Sequence, residues 1–213
     1  MPKQFILAAS LLLATGAMAA EIAVKNADFE EAFVGKRIPG WSRTQHAGVR
    51  AYEIIRDAED PGHGKYSIRM LRTTEQAYGM ISQVIESEKL AGKRVELTAA
   101  LKTAEVGELG WVMVMTFMYH NTMLDQVRAT PVTGDTDWKD VVLDKVAPKN
   151  ATAVEIGFLL LDGGTGWADN VRLRTVEDAE KAAESPDQGK KPAGKSGSGK
   201  PRAVTPAPVG KNR

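Results

Sequence analysis

Between residues 152 and 173 apolar and polar positions alternate in two runs separated by a glycine turn. Val154, Ile156, Phe158 and Leu160 lie two apart. Strand side chains alternate faces, so these four point one way, into a core. Asp162-Gly163-Gly164 supplies the tight reversal, since glycine reaches positive φ at little steric cost. Trp167, Asp169, Val171 and Leu173 then alternate again, which predicts an aspartate on the inward register of the last strand. A buried carboxylate is costly unless it is paired, hydrogen-bonded or bound to a metal.

The same period of two recurs upstream. Residues 21–25 alternate weakly, and residues 49–57, 66–72 and 78–85 read as strands. Ile68 and Met70 share one face, opposite Ser67, Arg69 and Leu71. In residues 94–102, Val95, Leu97, Ala99 and Leu101 point inward, with Glu96, Thr98 and Lys102 outward. Residues 110–120, GWVMVMTFMYH, are apolar on both faces. Either both faces are covered or one carries a functional patch. Residues 124–130 and 138–146 complete a set of about ten strands divided by Gly, Pro, Asn and Asp turns. Residues 26–31 read as a turn anchored by Phe29, and residues 35–48 as a loop in which Trp41 is a packing plug. No helical period precedes residue 176. The spacing predicts an all-β fold, an antiparallel β-sandwich.

Composition changes this picture at the two ends. The chain of 213 residues is 43% hydrophobic and 26% charged, which suits one domain of ordinary size, and its net charge of +1 gives no signal for nucleic acid. Residues 1–19 read as a signal peptide: Lys3, an apolar centre from Phe5 to Leu13, and Ala17-Met18-Ala19 as the cleavage site. That predicts a periplasmic or secreted protein with no transmembrane segment after cleavage, whose sandwich domain occupies residues 20–175. Without cysteine, it relies on its core or on a metal for stability. Residues 176–184 suit a short helix or linker. From residue 185 the chain is rich in Lys, Gly, Pro and Ser and is read as a disordered basic tail.

The ordered signals carry a resemblance. They are Asn26-Ala-Asp-Phe-Glu30, Pro39-Gly-Trp41, His63-Gly-Lys-Tyr-Ser67, Ser82-Gln-Val84, Leu90-Ala-Gly-Lys-Arg94, Asp137-Trp138 and Gly166-Trp-Ala-Asp-Asn-Val-Arg-Leu173. Over residues 22–174 the chain resembles the galactose-binding-domain-like jelly roll of bacterial carbohydrate-binding modules, notably the group attached to cellulases and xylanases.

The resemblance implies a structural calcium held by the Glu30 and Asp169 carboxylates and the Lys65 carbonyl, with Asp28 a further donor through its carbonyl. Calcium takes six to eight oxygens in flexible geometry, which suits carboxylates and turn carbonyls. The alternative for Asp169 is a cap on turn amides. The resemblance also implies a sugar groove on the concave sheet at Arg69, Tyr78, Gln83, Trp111, Tyr119 and Glu155. Aromatic rings cover the apolar faces of pyranoses while polar side chains bond their hydroxyls. Core packing is the alternative for Trp111 and Tyr119.

An exported, non-catalytic glycan-binding module is therefore the leading expectation. The alternative is a structural module that docks on an envelope protein through the same sheet. No nucleophile motif or phosphate-binding glycine loop occurs, and His46, His63 and His120 stand in separate segments without ligand spacing.

Overall fold

In a computed structural model of the chain, residues 19–176 are described. Two units divide the chain, Met1–Ala179 and Glu180–Arg213, and every described residue lies in the first. The expected signal peptide, the short helix and the basic tail fall outside the described residues, apart from Ala19 and Val176 at their edges.

Ten antiparallel strands form the fold: β1 (Ala20–Ile22), β2 (Ser42–Gln45), β3 (Tyr52–Asp57), β4 (Ser67–Arg72), β5 (Gly79–Glu86), β6 (Arg94–Tyr119), β7 (Thr122–Arg128), β8 (Val132–Val146), β9 (Ala153–Leu160) and β10 (Thr165–Val176). No helix occurs among the described residues. Hydrogen bonding runs continuously in the order β2-β5-β9-β6-β10-β4-β3, with β1 on β10 and both β7 and β8 on β6. The result is an antiparallel β-sandwich, as the alternation predicts.

The long strand β6 joins its two sheets. Residues 94–104 pair with β10 in the first sheet, and residues 111–118 pair with β9 in the second. The sequence predicts two strands here with a break between them. Instead the chain turns a corner without leaving the ladder, at Glu105 (φ 52°) and Gly110 (φ 80°). Strands that switch sheets bend at such irregular points. Asp162 fastens the corner from the β9–β10 turn by accepting from the amides of Gly163 (2.8 Å) and Leu109 (3.5 Å) and from the Arg72 guanidinium (3.3 Å). β2 is likewise a strand where the sequence reads as loop; its four residues pair with β5 at the sheet edge.

The core fills the space between the sheets. Val95, Leu97, Ala99 and Leu101 meet Val154, Ile156, Phe158 and Leu160 there, all on the registers that alternation assigns. Trp41 plugs one end, 5.3 Å from the Phe29 ring and 6.0 Å from Phe158, and its indole N–H donates to the Asn26 carbonyl at 3.1 Å. Burying the polar end of an indole requires such a partner.

Candidate functional site

Asp169 is fully buried, yet it does not point into the core. Gly166 and Ala168 face inward on β10, opposite Met70 and Ile68. Trp167 and Asp169 therefore face outward from the first sheet. At Asn170, which has φ 50°, the register with β6 shifts, and Val171 and Leu173 return to the core. One extra residue in a bulge flips every later side chain to the other face. Strict alternation through Leu173 misses it, so the inward register expected for Asp169 is corrected.

What buries Asp169 is the turn between β3 and β4, folded over the outer face of the first sheet. Asp169 Oδ2 accepts from the His63 amide at 2.6 Å and Oδ1 from the Asn170 amide at 2.6 Å, with the Gly62 amide also bonded to the carboxylate. Burial pushes its carboxyl up to about 6, and these amide bonds oppose the rise. Glu30 holds the other side of the same turn: Oε1 accepts from the amides of Lys65 (2.6 Å) and Tyr66 (3.0 Å).

These carboxylates are the ones that the resemblance assigns to calcium. Lys65 presents its amide N–H, a donor, to Glu30, and Asp28 Oδ1 accepts from the Glu30 amide at 3.3 Å. The Arg56 guanidinium takes the carbonyls of Phe29 (2.9 Å) and Glu30 (2.6 Å). Among the described residues no group of three or more His, Cys, Asp or Glu side chains converges on a metal-sized site. As arranged, both Asp169 oxygens and Glu30 Oε1 already accept N–H groups, the pattern of turn capping.

The outer face of the second sheet is where the doubly apolar run has its effect. Trp111, Met113, Met115 and Phe117 enter the main core, while Val112 and Val114 form a separate buried cluster with Leu159, flanked by Tyr78, Met80 and Leu161. Strand registers arrange this face in three cross-strand rows. One runs Thr44, Met80, Leu159, Val112; the next Ser42, Ser82, Gly157, Val114, Arg128; the third Val84, Glu155, Thr116, Gln126.

The middle row is the low strip of this face, a shallow trough, because Ser82, Gly157 and Val114 carry small side chains or none; all three are buried, and the Met80 methyl reaches over Gly157, 2.7 Å from where a Cβ would lie. Gly157 is required there: a Cβ would sit 2.6 Å from the Ile81 carbonyl oxygen. Its flanking rows stand four residues apart along the strands, about 13 Å. One flank is apolar, and the other is polar and pinned. Gln126 donates to Thr116 Oγ1 at 2.9 Å and accepts from Arg128 Nε at 3.1 Å. Beyond the Val84 end of the polar row lies a depression lined by Glu86, His120, Asn121 and Ala153.

Of the six residues expected to line a groove, Tyr78 and Glu155 lie on this face. Four do not. Trp111 is 0% exposed, stacked on Phe158 with centroids 5.7 Å apart, and its indole N–H donates to the Trp167 carbonyl at 3.0 Å. Gln83 faces the sandwich interior beside Ile156, and its amide clamps the Lys25 N–H and C=O, both at 2.9 Å. Arg69 lies on the outer face of the first sheet, 3.8 Å from Asp57. Tyr119 ends β6, 45% exposed, against the His120 ring at 4.4 Å. Its place is the β6–β7 turn, outside the trough. Sequence reasoning missed Ser82, Thr116, Gln126, Gly157 and Leu159; the signal for them was the second apolar register, Val112 and Val114.

No protein-family model matches the chain. The uncharacterized HTH-type transcriptional regulator YbfP of Bacillus subtilis (strain 168) is 25% identical over 155 residues, covering 70% of this chain and 52% of that protein. The chain thus spans about half the length of the curated relative it matches. Among solved structures, the Stig cyclase Fisc of Fischerella sp. TAU is similar with a TM-score of 0.55 at 16% identity, over 74% of this chain and 98% of that one. The CBM22-1 xylan-binding domain of Paenibacillus barcinonensis Xyn10C is similar with a TM-score of 0.52 at 16% identity, over 75% and 99%. The enzymatically active domain of tailspike protein 4 of bacteriophage CBA120 gives 0.55 at 18% identity, over 70% of this chain and 21% of that one. At such identities the likeness is one of fold, and that fold is the galactose-binding-domain-like jelly roll, the architecture of carbohydrate-binding modules.

Proposed function

We propose that the protein is an exported, non-catalytic module that binds a glycan along the trough on the outer face of the second sheet. The observation that carries this reading is the amphipathic cross-section of the trough. Its floor of Ser82, Gly157 and Val114 is built of small side chains with the Met80 methyl reaching over Gly157; Met80, Leu159 and Val112 form one apolar flank, and Glu155, Thr116 and Gln126 form a polar flank. A pyranose ring has the same two characters, with C–H faces that favour apolar surface and hydroxyls that need fixed donors and acceptors. The Gln126 amide, held by Thr116 and Arg128, is oriented before any ligand arrives, which reduces the ordering cost of binding. The xylan-binding relative supports a saccharide ligand, and export rests on the N-terminal pattern.

A second reading is favoured by the partly exposed Tyr78, Met80 and Leu161 that surround the buried Val112, Val114 and Leu159, an apolar surface that suits docking on an envelope protein. A glycan array probed with the chain separates the two. Binding to one glycan class supports the first reading. Binding to none, with saturable association to an envelope protein that Met80→Arg abolishes in a folded chain, supports the second.

A further inference from the structure

The two sheets part along one edge, between β2 of the second sheet and β3 of the first. The cleft there is lined by Lys36, Arg43, Thr44, Gln45, Arg50, Tyr52 and Ile54. Three of these carry positive charge. Among the described residues none of the three has a carboxylate within 4.0 Å, although most other arginines of the domain are ion-paired. The chain as a whole carries a net charge of only +1, so the cluster is not a general excess of basic residues.

Each cation is held in place by a fixed backbone. Gln45 accepts from the Ala51 amide at 3.2 Å and donates to the Val49 carbonyl at 2.7 Å, which pins both neighbours of Arg50. The Val34–Arg37 turn is closed by paired backbone bonds of 3.0 and 3.1 Å, with Gly35 at φ 62°, and it sets Lys36. Arg43 lies on the inward register of β2, opposite Ile81, and gives one N–H to the Lys36 carbonyl at 3.0 Å. The rest of its donor fork is unspent. Burial and the nearby Arg50 both hold the Arg43 guanidinium below its usual range. Like charges gathered in a partly desolvated cleft repel, and an oxyanion between them removes that cost while completing the guanidinium hydrogen bonds.

We infer that the cleft between β2 and β3 binds an oxyanion, with the Arg43 and Arg50 guanidinium groups as its donors and Lys36 at the rim. Tyr52 and Ile54 give the cleft an apolar wall. The ligand class this fits is an acidic saccharide, whose anionic group enters the cleft while its ring rests on that wall. The inference does not depend on the trough, since the cleft lies at the sandwich edge and binds through charge.

The test uses the full chain with galacturonate oligomers, sulfated dextran, inorganic phosphate and neutral dextran, at low and moderate salt. Affinity and the Nε–H resonances of Arg43 and Arg50 are followed together. At least one anionic probe should bind more tightly than neutral dextran and shift both resonances. Which probe does so separates a carboxylate, a sulfate and a phosphate ligand. Arg43→Gln with Arg50→Gln should weaken that binding about tenfold or more, and exposed Arg50→Gln alone should weaken it in part if the double variant folds poorly. Lys89→Gln with Lys149→Gln, an equal loss of charge elsewhere, should leave it unchanged. No anionic probe exceeding neutral dextran, unmoved arginine resonances, or equal loss in both charge-neutralised variants would overturn the inference. Loss of neutral glycan binding in trough variants would leave this result untouched.

Discussion

Glu30 and Asp169, near opposite ends of the domain sequence, grip a single turn: Glu30 accepts the Lys65 amide and Asp169 the His63 amide, each at 2.6 Å. Between them they join the first turn, the β3–β4 turn and the closing strand through hydrogen bonds. Replacing either by alanine leaves amide donors without their charged acceptor, which costs about 1–3 kcal/mol. The lower melting temperature should not depend on added calcium. Wild-type melting should likewise be indifferent to chelator. A fall of several degrees with chelator, restored by calcium better than by magnesium, would give the turn to the metal that the resemblance implies.

Acidity gives a second test of the same carboxylate. Burial raises the Asp169 carboxyl to about 6 in the folded chain, against about 3.9 when unfolded. Between those values the folded state holds a proton that the unfolded state has lost. The stability contributed by this group is therefore greatest below about 4 and is lost as pH rises through about 6. Relative to Asp169→Asn, the wild type should gain stability as pH is lowered from 7 to 5. A relative loss over that interval would mean that a cation depresses the carboxyl.

Trp111 is expected to behave as core. Its ring stacks on Phe158 and packs over Gly166, where a Cβ would lie 2.5 Å from the ring. Trp111→Ala should cost about 3–5 kcal/mol, and Gly166→Ala about 1–3 kcal/mol through overpacking. Urea unfolding measures both. A stable Trp111→Ala variant that only loses ligand would return Trp111 to the binding surface.

Alternation in the sequence reveals the core of β9 and of each half of β6, because the period of two is unbroken on either side of the corner at Glu105–Gly110. It fails at Asn170, where an asparagine adopts a left-handed conformation that no apolar pattern marks, and so it places Asp169 on the wrong face. Gln83 is misread for a different reason. A glutamine between apolar neighbours suggests a groove, but its partner is the Lys25 backbone, a contact set by tertiary packing. Glu155 is placed on the outer face of the second sheet by the regular register of β9, while Tyr78 lies just before β5 and flanks the apolar cluster of that face. The trough floor is not legible, since Ser82, Gly157 and Val114 matter for their small size, which lets the Met80 methyl lie over Gly157.

Glycan affinity with Glu155→Ala and Gln126→Ala, alone and together, bears most directly on the role of the trough. Both side chains lie on its outer, polar flank, so neither change should shift the melting temperature by more than a few degrees. With a glycan that the wild type binds, the double variant is expected to lose about tenfold or more in affinity, as befits lost hydrogen bonds to a desolvated ligand. Unchanged affinity in a folded double variant, or a wild-type chain that binds no glycan at all, would contradict saccharide binding in the trough.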